Sequence, residues 1–285
     1  MGSDAQQIWL VTNQSSGSND DAARAALTES CATSGLCVAH HTSFPEEKLP
    51  TPEILAAADI AIVAVFAGDG TINATLTALA GWDGSMLILP GGTMNLLYHR
   101  LFGNLELEEV LAKVGAGQAH TRRPGIISCD QGMAFAGLLA GPGTAWNEVR
   151  EALRAKAPLE LAAGSRDALD ESLAGPMLAC VKPKLGRNEG YPLLLLEPSD
   201  DGIHCDAYHA ESTGEYLEQA MALIRRDFRQ GPHDRLGTTD RLLLQSAGGS
   251  GFQILIDGEP AEITGSGEFV LVESPVNLLA IEADG

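Results

Sequence analysis

An unbroken apolar run, Ile60 to Phe66, stops abruptly at Gly68-Asp69-Gly70, and a helical pattern follows from Thr71 to Ala80. A run with no polar alternation is buried on both faces, which reads as a strand inside a parallel sheet. Thr71 is the expected cap of the helix that follows. A strand that ends in a glycine-rich turn and feeds a helix N-terminus makes a natural anion site. The glycines let backbone N–H groups come close to a phosphate, and the helix dipole favours its charge. The carboxylate of Asp69 does not suit simple anion binding. Beside a polyphosphate it makes sense if it holds Mg²⁺ or takes a proton from an attacking hydroxyl. On these residues alone, an ordinary Asp-Gly turn in an α/β sheet is an equal alternative.

The flanking sequence repeats the strand-then-helix pattern. Ile8 to Thr12 reads as a first buried strand, followed by the polar turn Asn13 to Asn19 and a helix from Asp20 or Asp21 to about Ser34. Leu36 to His41 is a second strand ending at Thr42. A short helix, Glu53 to Ala58, starts after Pro52. Met86 to Leu89 is a fourth strand. The turn Pro90-Gly91-Gly92-Thr93-Met94-Asn95 then leads into helices over Leu96 to Phe102 and Leu105 to Val114. Alternating strands and helices predict a parallel sheet, with ligands at the carboxyl ends of its strands. The turns at 13–18, 67–71 and 90–95 would gather there.

Near Arg122-Arg123-Pro124 the pattern changes, which sets an expected boundary between domains 1–122 and 123–285. Beyond it strands predominate: 125–129, 133–139, 177–182, 192–197, 202–209, 239–246, 252–257, 268–273 and 277–282. Their spacing predicts an antiparallel sandwich or barrel, interrupted by helices at about 146–156 and 215–229. The low charge between 125 and 140 suits an apolar cavity.

Composition excludes several classes. At 285 residues, 45% hydrophobic and 20% charged, the chain is globular, and no apolar run reaches the roughly 18–20 residues that span a bilayer. No signal peptide is expected, and the Gln at position 6 breaks a myristoylation pattern. Five scattered cysteines without a C-x-x-C fit a reducing cytosol better than a disulfide framework or zinc site. A net charge of −20 argues against nucleic acid and sits poorly with anionic lipid surfaces. Gly-Lys never occurs, so a P-loop is absent; so are G-x-G-x-x-G, H-E-x-x-H and a nucleophile elbow. His40-His41 reads as structural.

Four further features are informative. Gly91 to Asn95 offers flexible backbone, a hydroxyl and an amide before a helix; alone it is a capped loop, and one strand after Gly-Asp-Gly it becomes a second wall for the same phosphates. Asp257-Gly258-Glu259 and Asp200-Asp201-Gly202 read first as hairpin turns, the latter alternatively as a divalent-ion loop. Arg225, Arg226, Arg229 and Arg235 form the only basic cluster, a solvated helix face or a local contact for membrane or phosphate.

In this order, an N-x-x-S-G turn, G-D-G-T-I-N, G-T-M-N, D-D-G and D-G-E, the chain resembles the diacylglycerol kinase catalytic-domain family and related lipid kinases. The resemblance implies an α/β domain like that of NAD kinases and phosphofructokinases, a C-terminal β-sandwich, ATP and Mg²⁺ as cofactors, and a membrane lipid as substrate. By matching position it implies that Asn13, Ser16, Gly17 and Thr42 line the nucleotide. Ala67, Gly68, Asp69, Gly70, Thr71, Ile72 and Asn73 would hold ATP with Gly92, Thr93 and Asn95. Asp69 would organise Mg²⁺ and the transferred phosphoryl group, and Glu259 would be the general base. Asp201 and the carbonyl of Ile203 would match a second, structural Mg²⁺ loop. The chain departs from the family at Gln14 (usually Pro), Ala67 (Gly), Leu96 (Asp) and His99 (near an Arg). An added methyl at Ala67 is tolerable only if φ is negative there.

These features predict γ-phosphoryl transfer to the primary hydroxyl of diacylglycerol or of a ceramide or sphingoid lipid, by a cytoplasmic protein touching the membrane peripherally. Oligomeric state has no sequence signal. Two rivals remain at this point: a soluble NAD kinase, which shares G-D-G-T and for which Asn147-Glu148 would be a candidate pair, and a non-enzymatic lipid-binding protein of the same fold, motivated by Ala67 and Leu96.

Overall fold

The computed structural model describes residues 5–14, 21–92, 95–141, 177–208 and 233–281, and the chain divides into two units, residues 1–124 with 274–285, and residues 125–273. The expected helices at 146–156 and 215–229 lie outside the described residues, as do Asn147, Glu148, Arg225, Arg226 and Arg229.

The first unit runs β1 (Gln6–Thr12), α1 (Asp21–Thr33), β2 (Leu36–Ser43), α2 (Pro52–Ala57), β3 (Ile62–Ala67), α3 (Asp69–Ala78), β4 (Ser85–Pro90), α4 (Leu96–Phe102), α5 (Leu107–Gly115) and β5 (His120–Arg122). Its first four strands stand in the order β2-β1-β3-β4, all parallel, with the apolar runs of β3 and β4 inside and the more polar β2 at the edge. Val63, Ala64 and Val65 of β3 are fully buried. Thr51 caps α2, with Pro52 at the first helical position, where a missing N–H costs nothing.

One expectation fails here. The segment 277–282 was assigned to the second domain, yet Asn277–Ala280 lies beside β4, parallel to it, and pairs antiparallel with β5. The chain returns to complete the first sheet. Leu278, Leu279 and Ala280 are buried there, a burial that a polar edge position would not give. The helix after Gly-Asp-Gly also starts earlier than expected: Gly68 is the cap and Asp69 the first helical residue. Thr71 does not cap because its hydroxyl is engaged elsewhere.

The second unit contains β6 (Gly125–Cys129), β7 (Gly132–Ala134), β8 (Leu138–Gly141), β9 (Leu178–Lys182), β10 (Lys184–Leu185), β11 (Leu193–Ser199), β12 (Gly202–Tyr208), β13 (His233–Thr239), β14 (Arg241–Ser246), β15 (Phe252–Ile256), β16 (Glu259–Ile263) and β17 (Ser266–Glu273); β18 is the returning strand Asn277–Ala280. Two six-stranded antiparallel sheets form, β10-β9-β14-β17-β6-β7 and β13-β12-β11-β8-β15-β16. One apolar core takes residues from both, among them Ile127, Cys180, Leu244 and Phe269 from the first and Leu196, Cys205 and Ile254 from the second. The strand expected over 133–139 is broken into β7 and β8. Its interruption at Phe135, Ala136 and Gly137 has a specific cause: all three N–H groups leave the ladder and bond to Asp257.

Candidate functional site

In the order β2-β1-β3-β4 the connections run opposite ways on either side of β1 and β3, so a crevice opens outside their carboxyl ends. Asn13 leaves β1 at this place. Its side-chain amide donates to the Thr71 hydroxyl at 2.8 Å, across the switch point. Thr71, only 6% exposed, therefore links the first turn of α3 to the exit of β1.

The two glycine-rich turns meet backbone to backbone. A Cβ on Gly91 would lie 2.4 Å from the Ala67 nitrogen, and one on Gly92 2.6 Å from the Gly68 Cα. Neither position admits a side chain without separating the turns. Asn95 closes the second turn. It adopts left-handed backbone (φ 50°), accepts from the Gly92 N–H at 2.8 Å and donates to the Gly92 carbonyl at 3.1 Å. This turn is tied to the first by a charge-assisted bond, the Leu96 N–H donating to Asp69 Oδ1 at 3.2 Å. Asp69 is half-buried and stands in the first turn of α3, where the Thr71 and Ile72 N–H groups donate to the Gly68 carbonyl at 3.0 and 3.1 Å.

The structure thus brings Asn13, Ala67, Gly68, Asp69, Gly70, Thr71, Gly92 and Asn95 into one assembly of three loops. Ile72 points inward and is buried, while Asn73 is half-buried one turn along α3. Thr42 is the penultimate residue of β2; it is 3% exposed and accepts from the Trp9 indole N–H at 2.9 Å. Ser16, Gly17 and Thr93 lie outside the described residues. Ala67 is the last residue of β3 and is absent from the residues with positive φ, so the condition for tolerating its methyl is met. His99 contacts the Gly103 carbonyl through Nδ1 at 3.0 Å, at the C-terminal end of α4.

Glu259 and Asp201 belong to the second unit. Asp257 (φ 48°) and Gly258 (φ 88°) form the two-residue turn between β15 and β16, and Ile256 pairs with Glu259. Two successive positive φ values are what a tight hairpin of this twist demands. Glu259 is half-buried at the start of β16. Sequence reasoning missed the role of Asp257. Its carboxylate, 3% exposed, accepts from Phe135 and Ala136 at 2.8 Å and Gly137 at 3.0 Å, while its own N–H donates to the Gly137 carbonyl. The Asp-Gly pair signals the turn but says nothing of a partner so distant in sequence.

Asp201 sits in the β11–β12 hairpin, largely exposed. It bonds to the Ser199 hydroxyl and, at 2.9 Å, to His204 Nε2; these contacts hold its carboxyl below the ordinary range. The Ile203 residue is buried in β12. Among the described residues no group of three or more His, Cys, Asp or Glu is arranged to hold a metal, and no helix is long and apolar enough to cross a membrane. Arg235, from the expected basic cluster, bonds to the buried Asp206 at 3.2 Å.

Comparison with known proteins follows the same division. Residues 7–125 match the family model of the diacylglycerol kinase catalytic domain. No curated protein sequence matches the chain significantly. Among solved structures, a diacylglycerol kinase from Bacillus anthracis str. Sterne is similar with a TM-score of 0.57 at 13% identity, covering 96% of each chain. Another structure from that organism, assigned provisionally as a diacylglycerol kinase, has a TM-score of 0.59 at 15% identity and covers 98% of this chain and 99% of its own. At these identities the likeness is one of fold.

Proposed function

We propose that this chain, similar to diacylglycerol kinases over residues 7–125, is an ATP-dependent lipid kinase that transfers the γ-phosphoryl group to the primary hydroxyl of a membrane lipid, diacylglycerol or a ceramide or sphingoid lipid. The observation that carries this reading is the backbone apposition of the 67–70 and 91–92 turns at the switch point of the first sheet, with Asp69 between them. Such a junction sets the N-terminus of α3 and the Asp69 carboxylate at the crevice, which suits a polyphosphate with its cation better than a neutral ligand.

The residues fit ATP. The opening of α3 would face the phosphate oxygens, where Gly70 is exposed, with Gly68 and Gly92 setting the close approach of the two turns. Asn13, Thr71, Asn73 and Thr42 would frame the rest of the nucleotide, with Ser16, Gly17 and Thr93 assigned by resemblance alone. A lone carboxylate beside phosphates is the usual protein share of a Mg²⁺ site, and Asp69 would supply it. When bound, that ion would offset the charge of the phosphates. The second site, at Asp201 and the Ile203 carbonyl, is less well supported, because Ser199 and His204 already satisfy Asp201.

Catalysis would be mostly positioning. Asp69 fixes the second turn through Leu96 and so sets the depth of the phosphate site, while Glu259 takes the proton from the lipid hydroxyl as the bond to phosphorus forms. Glu259→Gln is then expected to slow transfer by about 10²–10⁴-fold; an unchanged rate would leave the Asp-Gly-Glu stretch as a hairpin only. Peripheral contact of a cytoplasmic protein with the membrane is part of the proposal.

The direct test is transfer from labelled ATP with Mg²⁺ to diacylglycerol, ceramide, sphingosine, NAD or no acceptor. A labelled lipid supports the proposal and names the substrate. Labelled NADP would replace it with a soluble NAD kinase, and ATP binding without any product would favour a lipid-binding protein of this fold.

A further inference from the structure

Cys180 lies on β9 of one sheet and Cys205 on β12 of the other, and both point into the core shared by the two. Their sulfurs are 3.8 Å apart, and the residues are 3% and 0% exposed. Nothing in the phosphoryl-transfer reading uses them. A disulfide needs an S–S separation of about 2.05 Å, so closure asks for less than ~2 Å of approach between side chains already in contact.

The strands around both residues are irregular. Between β9 and β14 the register slips, with Lys182 opposite Leu243 but Cys180 opposite Leu244, so Val181 is an extra residue next to the cysteine. Between β12 and β13 it slips immediately after Cys205, which faces Gly237, and Leu236 is the extra residue. Among the described residues only the two-residue β10 lies beyond β9, and β13 is itself an edge strand. Bulges beside edge strands interrupt the ladder, and such margins open at the lowest cost. Each cysteine therefore stands beside a bulge, one strand from the margin of its sheet.

We propose that Cys180 and Cys205 form a redox modification site, at which hydrogen peroxide converts the dithiol into a disulfide that ties the two sheets of the second unit together. Cys180 attacks the peroxide as thiolate, giving a sulfenic acid and, with one proton, water. The Cys205 sulfur then displaces the sulfenic oxygen, which leaves as a second water carrying the Cys205 proton. Two thiols and one peroxide become one disulfide and two waters. The order follows from the strands: Cys180 is 3% exposed against 0% for Cys205, and among the described residues its strand has only the two-residue β10 beyond it, so peroxide reaches Cys180 first. The thiol–thiol contact favours the same order, holding Cys180 below its ordinary value and pushing Cys205 up.

The test uses the whole chain, reduced and then exposed to graded hydrogen peroxide, followed by peptide mapping without reductant. The expected result is a linked Cys180–Cys205 peptide about 2 Da lighter than its two halves, reversed by dithiothreitol, with an upward shift of the thermal midpoint. In Cys205→Ser the reaction should stop at the sulfenic acid on Cys180, which a 1,3-dione reagent traps. The decisive map is that of the unsubstituted chain, so a poorly folding variant does not weaken it. Free thiols at 180 and 205 at doses that fully oxidise the exposed Cys37 would overturn the proposal, as would a link from either residue to Cys129.

Discussion

Two aspartates show how one residue type acts by its surroundings. Asp69 is half-buried, bridges two loops through the Leu96 N–H, and stands where a helix dipole favours an anion. Asparagine at that position keeps an oxygen for the Leu96 N–H but removes the charge. Asp69→Asn is therefore expected to retain a folded circular-dichroism spectrum and lose phosphoryl transfer by about 10³-fold or more. A variant with native rates would remove the carboxylate from the chemistry. Asp257 is the opposite case. It is buried and bonded to three successive N–H groups, so its work is to hold the break between β7 and β8 against the β15–β16 turn. Truncation orphans those donors, each costing about 1–3 kcal/mol, so Asp257→Ala should lose about 3 kcal/mol or more in urea unfolding. Asp257→Asn should lose less, because asparagine tolerates the left-handed backbone and keeps one acceptor. A loss under about 0.5 kcal/mol in the alanine variant would mean that solvent or rearrangement satisfies the donors.

At the scale of the element, β2 carries a titrating contact at the edge of the first sheet. His41 Nε2 meets the Thr12 hydroxyl at 2.9 Å. Burial, and then the Arg24 guanidinium, hold its imidazole below the ordinary value of 6.5, with Glu47 opposing. A histidine depressed in the folded state binds fewer protons there than in the unfolded chain, so its contribution is full above pH 6.5 and is lost as pH falls from 6.5 through the folded value. His41→Gln should flatten that part of the stability–pH curve; an unaltered curve would assign the acid sensitivity to other groups. In this sheet β1, β3 and β4 were legible because buried parallel strands are written as apolar runs, whereas the short polar β5 was not. Nor were the strands β13 and β16. His233–Thr239 is mostly polar, and Glu259–Ile263 begins Glu-Pro, as edge strands tolerate. The turns of the candidate site were likewise legible from glycine and asparagine spacing. Their ties were not: Asn13 to Thr71 and Leu96 to Asp69 depend on which strands become neighbours, which no local pattern encodes.

At the scale of the whole molecule, the first unit depends on the end of the described chain. β18 lies between β4 and β5, and the Asn277 side chain fixes its entry by donating to the Asp83 and Gly84 carbonyls and accepting from Arg123. Val276, Leu278, Leu279 and Ile281 are all buried. Burying side chains of this size is worth about 1.5–3 kcal/mol each, so the four together contribute on the order of 6 kcal/mol or more. That is comparable with the roughly 5–15 kcal/mol by which a whole domain is stable. Removing residues 274–285 would also turn β4 into a bare apolar edge, which invites pairing between chains. The truncated protein should therefore unfold its first unit at a lower temperature and aggregate. The second unit keeps its β strands in sequence from 125 to 273, so amide hydrogen exchange should find its core still protected. Equal loss of protection in both units would show that they fold as one cooperative block, and an unperturbed first unit would show that β5 can close the sheet against β4 without β18.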